Sequence, residues 1–183
     1  MTRQPSLRSL NLQALTDSSV PLTDRTPLHL LERLANEIHR LEPDFFIDWQ
    51  VKAELRPGAS GPADTWLQLR ADTTVSLVCQ RCMGPAQTQL HVDRWYRFVD
   101  TEDIAMAEDD ASEEDLLVMA PQFDLLALLE DELLMALPLV PMHDECPVLP
   151  AFSAGALEAD DPSNDVAQHK PHPFAALAQL KKK

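Results

Sequence analysis

The chain has 183 residues, 45% of them apolar, which suits one compact domain with tails. Its net charge of -15 is uneven: residues 1–100 hold 11 Lys/Arg against 12 Asp/Glu, residues 101–165 hold 18 Asp/Glu and no Lys/Arg, and residues 166–183 hold 4 Lys and no acid. These numbers argue against a disulfide scaffold, since only 3 Cys are present, and against a global attraction to nucleic acid, because an acidic field repels phosphate and attracts basic partners. No apolar run reaches the roughly 18–20 residues of a membrane span. The start, MTRQPSLRSLNLQAL, has neither an uninterrupted apolar core nor a small-residue cleavage site, so a cytoplasmic location is expected.

Residues 1–25 are polar and weakly patterned and read as a flexible arm. Thr26-Pro27 reads as a helix start, Thr as N-cap and Pro at the first helical position. Leu30, Leu31, Leu34, Ile38 and Leu41 follow at helical spacing, and Pro43 closes the element. Ile47, Trp49, Val51, Ala53 and Leu55 then alternate with polar residues, the pattern of a half-buried strand. A turn over 57–62 leads to a second strand, with Leu67, Leu69, Ala71, Thr73, Val75, Leu77 and Cys79 on one face. After Cys79-Gln-Arg-Cys-Met-Gly-Pro85 a third strand runs over about 87–99, where Arg94 breaks the alternation. Residues 100–115 read as a mobile acidic loop. Asp124 can cap a helix over 125–137, LLALLEDELLMAL, ended by Pro138. Residues 150–173 have linker composition, and Phe174, Leu177 and Leu180 lead into Lys181–Lys183. The fold class expected is α+β: a small antiparallel sheet or open barrel, a preceding helix, a following acidic helix and flexible tails. The domain spans 26–149, with 150–183 as linker and basic tail.

Two short pairs carry metal-ligand chemistry. Cys79 and Cys82 form a C-x-x-C, and His143 and Cys146 form an H-x-x-C. Two-residue spacings let both members of a pair reach one ion, and three thiolates with one imidazole suit a closed, structural zinc site. The alternative is a tight turn with reduced thiols and an incidental His143 and Cys146. A redox C-x-x-C normally opens a helix, whereas here Gly84-Pro85 follows and a strand resumes.

Arg81, Arg94 and Arg97, with Trp95, Tyr96 and the tail residues Lys181, Lys182 and Lys183, are the candidates for RNA contact; the alternative is ordinary strand positions and core aromatics. Glu130, Asp131 and Glu132 do not converge on an ion, because helical neighbours point about 100° apart. They read as a solvated or partner-facing strip. With 4 Gly in the chain, and no phosphate-binding loop, G-x-S-x-G or H-E-x-x-H, no enzyme signature is present.

Three segments together resemble the YceD family: Leu77-Val-Cys-Gln-Arg-Cys-Met-Gly-Pro85, the run from Phe123 through Glu-Asp-Glu-Leu-Leu-Met-Ala-Leu-Pro-Leu-Val-Pro-Met to His143, and Pro173-Phe-Ala-Ala-Leu-Ala-Gln-Leu-Lys-Lys-Lys183. The resemblance implies a non-enzymatic bacterial factor in accumulation of 23S ribosomal RNA and large-subunit biogenesis. Its expected partner is a basic large-subunit ribosomal protein or the 23S precursor itself, with no membrane and no small-molecule substrate. Two versions stay open: an acidic binder of a basic protein, and a zinc-stabilised, direct RNA binder.

Overall fold

A computed structural model of the chain describes residues 6–18, 20–58 and 63–148. The described residues fall within a unit over Met1–Leu149, distinct from a second unit over Pro150–Lys183. The alternating segments form the strands, as expected. β2 (Phe46–Arg56), β3 (Asp64–Val78) and β4 (Pro85–Val99) are a continuous antiparallel meander. β1 (Leu22–Pro27) joins the free edge of β2 antiparallel, and β5 (Asp115–Val118) pairs parallel to β4. The order β1-β2-β3-β4-β5 is that of an open sheet, not a closed barrel. The α+β class therefore holds.

One face of the sheet supplies the core. Ile47, Trp49, Val51, Leu67, Leu69, Ala71, Val75, Leu90, Val92, Tyr96 and Phe98 are buried on it, at the alternate positions the sequence marks. α4 (Leu125–Met135) covers this face with Leu125, Leu126, Leu129 and Leu133. Fully burying each such leucine contributes about 1.5–3 kcal/mol. Asp124 caps α4 as expected, accepting from the Ala127 amide at 2.9 Å.

Three expectations differ. Residues 1–25 are not simply an arm: α1 (Leu12–Thr16) is capped by Asn11, and Leu10, Leu12 and Leu15 are buried in the core. Leu10 also exchanges two backbone hydrogen bonds with Phe123, just ahead of α4. Thr26-Pro27 ends β1 and does not start an α-helix: Pro27 precedes only a single 3-10 turn over Leu28–Leu30, and Thr26 is not its cap. The Thr26 hydroxyl accepts from the buried Trp49 indole at 2.8 Å, and a proline at an edge strand leaves no ladder bond unmade. The helix itself, α2, covers only Glu32–Glu37. Leu31, Leu34 and Ile38 are buried as the spacing implies, but Leu30 and Leu41 are exposed.

The acidic segment over 100–115 is structured as well. Thr101 caps α3 (Glu102–Glu108), accepting from the Ile104 amide at 3.3 Å, and Glu102 and Asp103 sit in its first turn, where the helix dipole favours carboxylates. β4 and β5 are parallel, so the chain between them must cross back along the sheet, and such crossovers need a dozen or more residues. The acidic segment is that crossover.

Candidate metal centre and charged surfaces

The turn that joins β3 to β4 is the C-x-x-C. The Cys79 amide donates to the Gly84 carbonyl and the Met83 amide to the Cys79 carbonyl, both at 2.9 Å. Met83 takes the left-handed conformation, φ 61°, that lets the chain double back within six residues. The segment after α4 runs beside this turn. The Gln80 amide donates to the Pro141 carbonyl at 2.9 Å.

This brings all four predicted ligands together: the ligand atoms of Cys79, Cys82, His143 and Cys146 lie within 4.8 Å of one another. Cys79 Sγ is 3.9 Å from Cys146 Sγ, and Cys82 Sγ is 3.4 Å from His143 Nδ1. No disulfide links them, since all three cysteines are free. His143 Nε2 lies 2.8 Å from the Pro85 carbonyl oxygen. A carbonyl only accepts, so the proton of the neutral ring sits on Nε2, and Nδ1 presents a lone pair to the cluster. Burial pushes the Cys79 thiol upward, but the amides of Cys82, His143 and Arg81 favour its thiolate and draw it below the ordinary range. Cys146 moves the other way, raised by burial and by the neighbouring sulfurs of Cys82 and Cys79. The group can hold a metal ion.

The three arginines do not form one patch. Arg81 is exposed on the turn, 3.9 Å from the Met142 sulfur, and has no carboxylate partner among the described residues. Arg94 and Arg97 lie toward the other end of β4; a rise of about 3.3 Å per residue puts Arg94 about 30 Å from the strand's start. Arg94 breaks the alternation because it faces the core side, where it pairs with Asp115 at 3.0 Å and Glu132 at 3.3 Å. Arg97 is only 14% exposed and meets Glu108 at 2.8 Å, Glu114 at 2.7 Å and Asp64 at 3.6 Å. Burial opposes the Arg97 charge, but the Glu108 and Glu114 carboxylates more than compensate and raise its pKa.

The two aromatics part company: Tyr96 is in the core, while Trp95 stands on the open face beside Trp66, with the Arg56 guanidinium over both rings. Nothing in the sequence pairs Trp66 with Trp95 across 29 positions; the strand register does.

The three acids of α4 also separate. The Glu130 carboxylate accepts from the Arg33 and Leu34 amides at 2.7 and 3.3 Å and from the Arg33 side chain at 2.9 Å. α2 has no side-chain cap of its own, so Glu130 serves its N-terminus from a distance of 97 residues in sequence. Asp131 pairs with Arg33 at 2.6 Å and stays half exposed. Glu132 is buried, on Arg94 and facing the buried Tyr96 hydroxyl, which has no hydrogen-bond partner among the described residues. Lys181, Lys182, Lys183 and the Phe174–Leu180 segment lie outside the described residues.

A family model described as "Large ribosomal RNA subunit accumulation protein YceD" matches residues 67–181, more than half of the chain. The chain belongs to the YceD family. A Haemophilus influenzae relative carrying that same description is 35% identical over 161 residues, covering 84% of this chain and 83% of the relative. The stretch matched to the family contains all four candidate ligands and the acids of α3 and α4. No solved structure matches the chain. Among the described residues no helix is long and apolar enough to cross a membrane.

Proposed function

We propose that this protein supports accumulation of the large-subunit ribosomal RNA as a non-enzymatic cytoplasmic factor that binds a basic large-subunit ribosomal protein. The observation that carries this reading is the acidic segment 101–165, with 18 acids and no Lys/Arg, in which Glu102 and Asp103 of α3 and Asp109, Asp110 and Glu113 after it are exposed. Such a surface attracts a cationic protein and repels phosphate. Of the three acids of α4, Asp131 alone is half exposed, and it is held by Arg33, whereas Glu130 and Glu132 serve the fold. RNA accumulates, on this reading, because assembly of its protein partner succeeds. The Cys79, Cys82, His143 and Cys146 group is a structural zinc site, since four protein ligands leave no open position for chemistry.

Direct RNA binding is the second reading, favoured by exposed Arg81 at the turn. Its contacts are Arg81 with Lys181–Lys183; Arg94 and Arg97 are held by carboxylates, which a phosphate would have to displace. The two readings part in cells that lack their own family member and carry this chain. Reversing Glu102, Asp103, Asp109, Asp110 and Glu113 to Lys is expected to lower the ratio of 23S to 16S RNA, while Arg81→Ala with the three tail lysines changed to Ala leaves it intact. The opposite outcome supports RNA binding, and an unchanged ratio in both contradicts both.

A further inference from the structure

The segment from Pro138 to Val148 follows α4 without regular secondary structure, and none of its residues is buried. Leu139 is fully exposed, and Val140, Met142 and Val148 are at least half exposed. A stretch in which only Pro141, His143 and Cys146 are even partly buried has little apolar burial to offset about 1–2 kcal/mol of backbone entropy per ordered residue. Among the described residues its polar contacts all go to the β3–β4 turn and its edge: Pro141 to Gln80, Met142 to Arg81, His143 to Cys82 and Pro85, and Cys146 to Cys79.

The spacing of those atoms suits an ion better than it suits hydrogen bonds. Thiols are weak donors, and two sulfurs at 3.9 Å stabilise little by themselves. A tetrahedron with zinc–sulfur bonds of about 2.3 Å and zinc–nitrogen bonds of about 2.0–2.1 Å sets sulfurs about 3.8 Å apart and sulfur to nitrogen about 3.6 Å apart. Two of the six separations are 3.9 and 3.4 Å, and all six lie within 4.8 Å. The His143 ring is also already oriented, with Nε2 engaged by the Pro85 carbonyl and Nδ1 turned toward Cys82, the outer support that metal-bound histidines ordinarily have.

We infer that one zinc ion held by Cys79, Cys82, His143 and Cys146 is the whole core of the 138–148 segment, so that this segment orders with the metal while the sheet and α4 fold without it. The inference rests on the zinc reading given above and adds to it a division of the domain. The sheet and α4 have their own hydrophobic core, to which no residue of 138–148 contributes. The ion would also hold Leu139, Val140 and Met142 out in solvent.

The test uses the full chain, purified under reducing conditions, with zinc content measured by mass spectrometry and backbone order parameters by NMR relaxation, before and after a chelator. One zinc per chain is expected. With zinc bound, residues 138–148 should approach the roughly 0.85 of rigid backbone; stripped, they should fall below about 0.6 while β2, β3, β4 and α4 stay unchanged. Cys146→Ser should reproduce the stripped state, and Asp144→Ala, which removes a neighbouring carboxylate, should not. Zinc bound with 138–148 equally rigid after its removal would overturn the inference and leave the zinc site standing. No zinc bound by the reduced chain would overturn both.

Discussion

Glu130, Asp131 and Glu132 are consecutive and chemically alike, yet the fold gives each a different task. Glu130 caps α2 and holds Arg33, Asp131 holds Arg33 from solvent, and Glu132 is buried on Arg94. Their substitutions should therefore separate in urea denaturation. Glu130→Ala should cost about 1–3 kcal/mol, since two amides lose an acceptor. Glu132→Ala should cost about 3–5 kcal/mol less a discount for the half-exposed arginine that it abandons. Asp131→Ala should leave the midpoint where it is, as exposed pairs generally do. Equal and small effects at all three would contradict these placements. The sequence cannot separate the three: helical periodicity says which way each points from the α4 axis, but Arg33 and Arg94 arrive from elements 97 and 38 positions away. The four residues that converge at the β3–β4 turn were legible as candidate ligands because each pair has its own local spacing. The Pro85 carbonyl that orients His143 was not, since a backbone oxygen carries no sequence signal.

At the scale of elements, what the sequence reveals depends on how many periods an element repeats. β2, β3 and β4 run 11, 15 and 15 residues, long enough for alternation to mark each as a strand even where Arg94 interrupts it in β4. α1, at 5 residues, completes barely one helical turn, and β1, at 6 residues, buries only Thr26 and so shows no alternation, and both pass for an unpatterned arm. The crossover through α3 was hidden for a different reason. Its acids look self-repelling in isolation, but Arg97 supplies the countercharge from β4. No residue of α3 is buried, so Arg97 and the Thr101 cap carry the element. Arg97→Met should accordingly raise amide exchange across 102–118 and lower global stability by about 1–3 kcal/mol, because Glu108 and Glu114 are left facing each other over an apolar side chain. Retained protection in α3 would show that the helix stands without the arginine.

At the largest scale, among the described residues, α4 covers one face of the sheet, and α3, with its exposed Glu102 and Asp103, packs beside β5 and β4. Attraction between such a surface and a basic protein is screened by salt, with a Debye length near 8 Å at physiological ionic strength. The affinity for the proposed basic partner should therefore fall steeply as salt rises, measured by titration with the purified candidate; an affinity indifferent to salt would argue for an apolar contact instead. The most direct measurement is affinity purification of the tagged protein from cells, split and treated with or without RNase, with RNA and protein identified in both halves. A basic large-subunit ribosomal protein that stays bound after RNase is the predicted result. Recovery of 23S precursor, with every ribosomal protein lost once RNase is added, would contradict it and make RNA the direct partner.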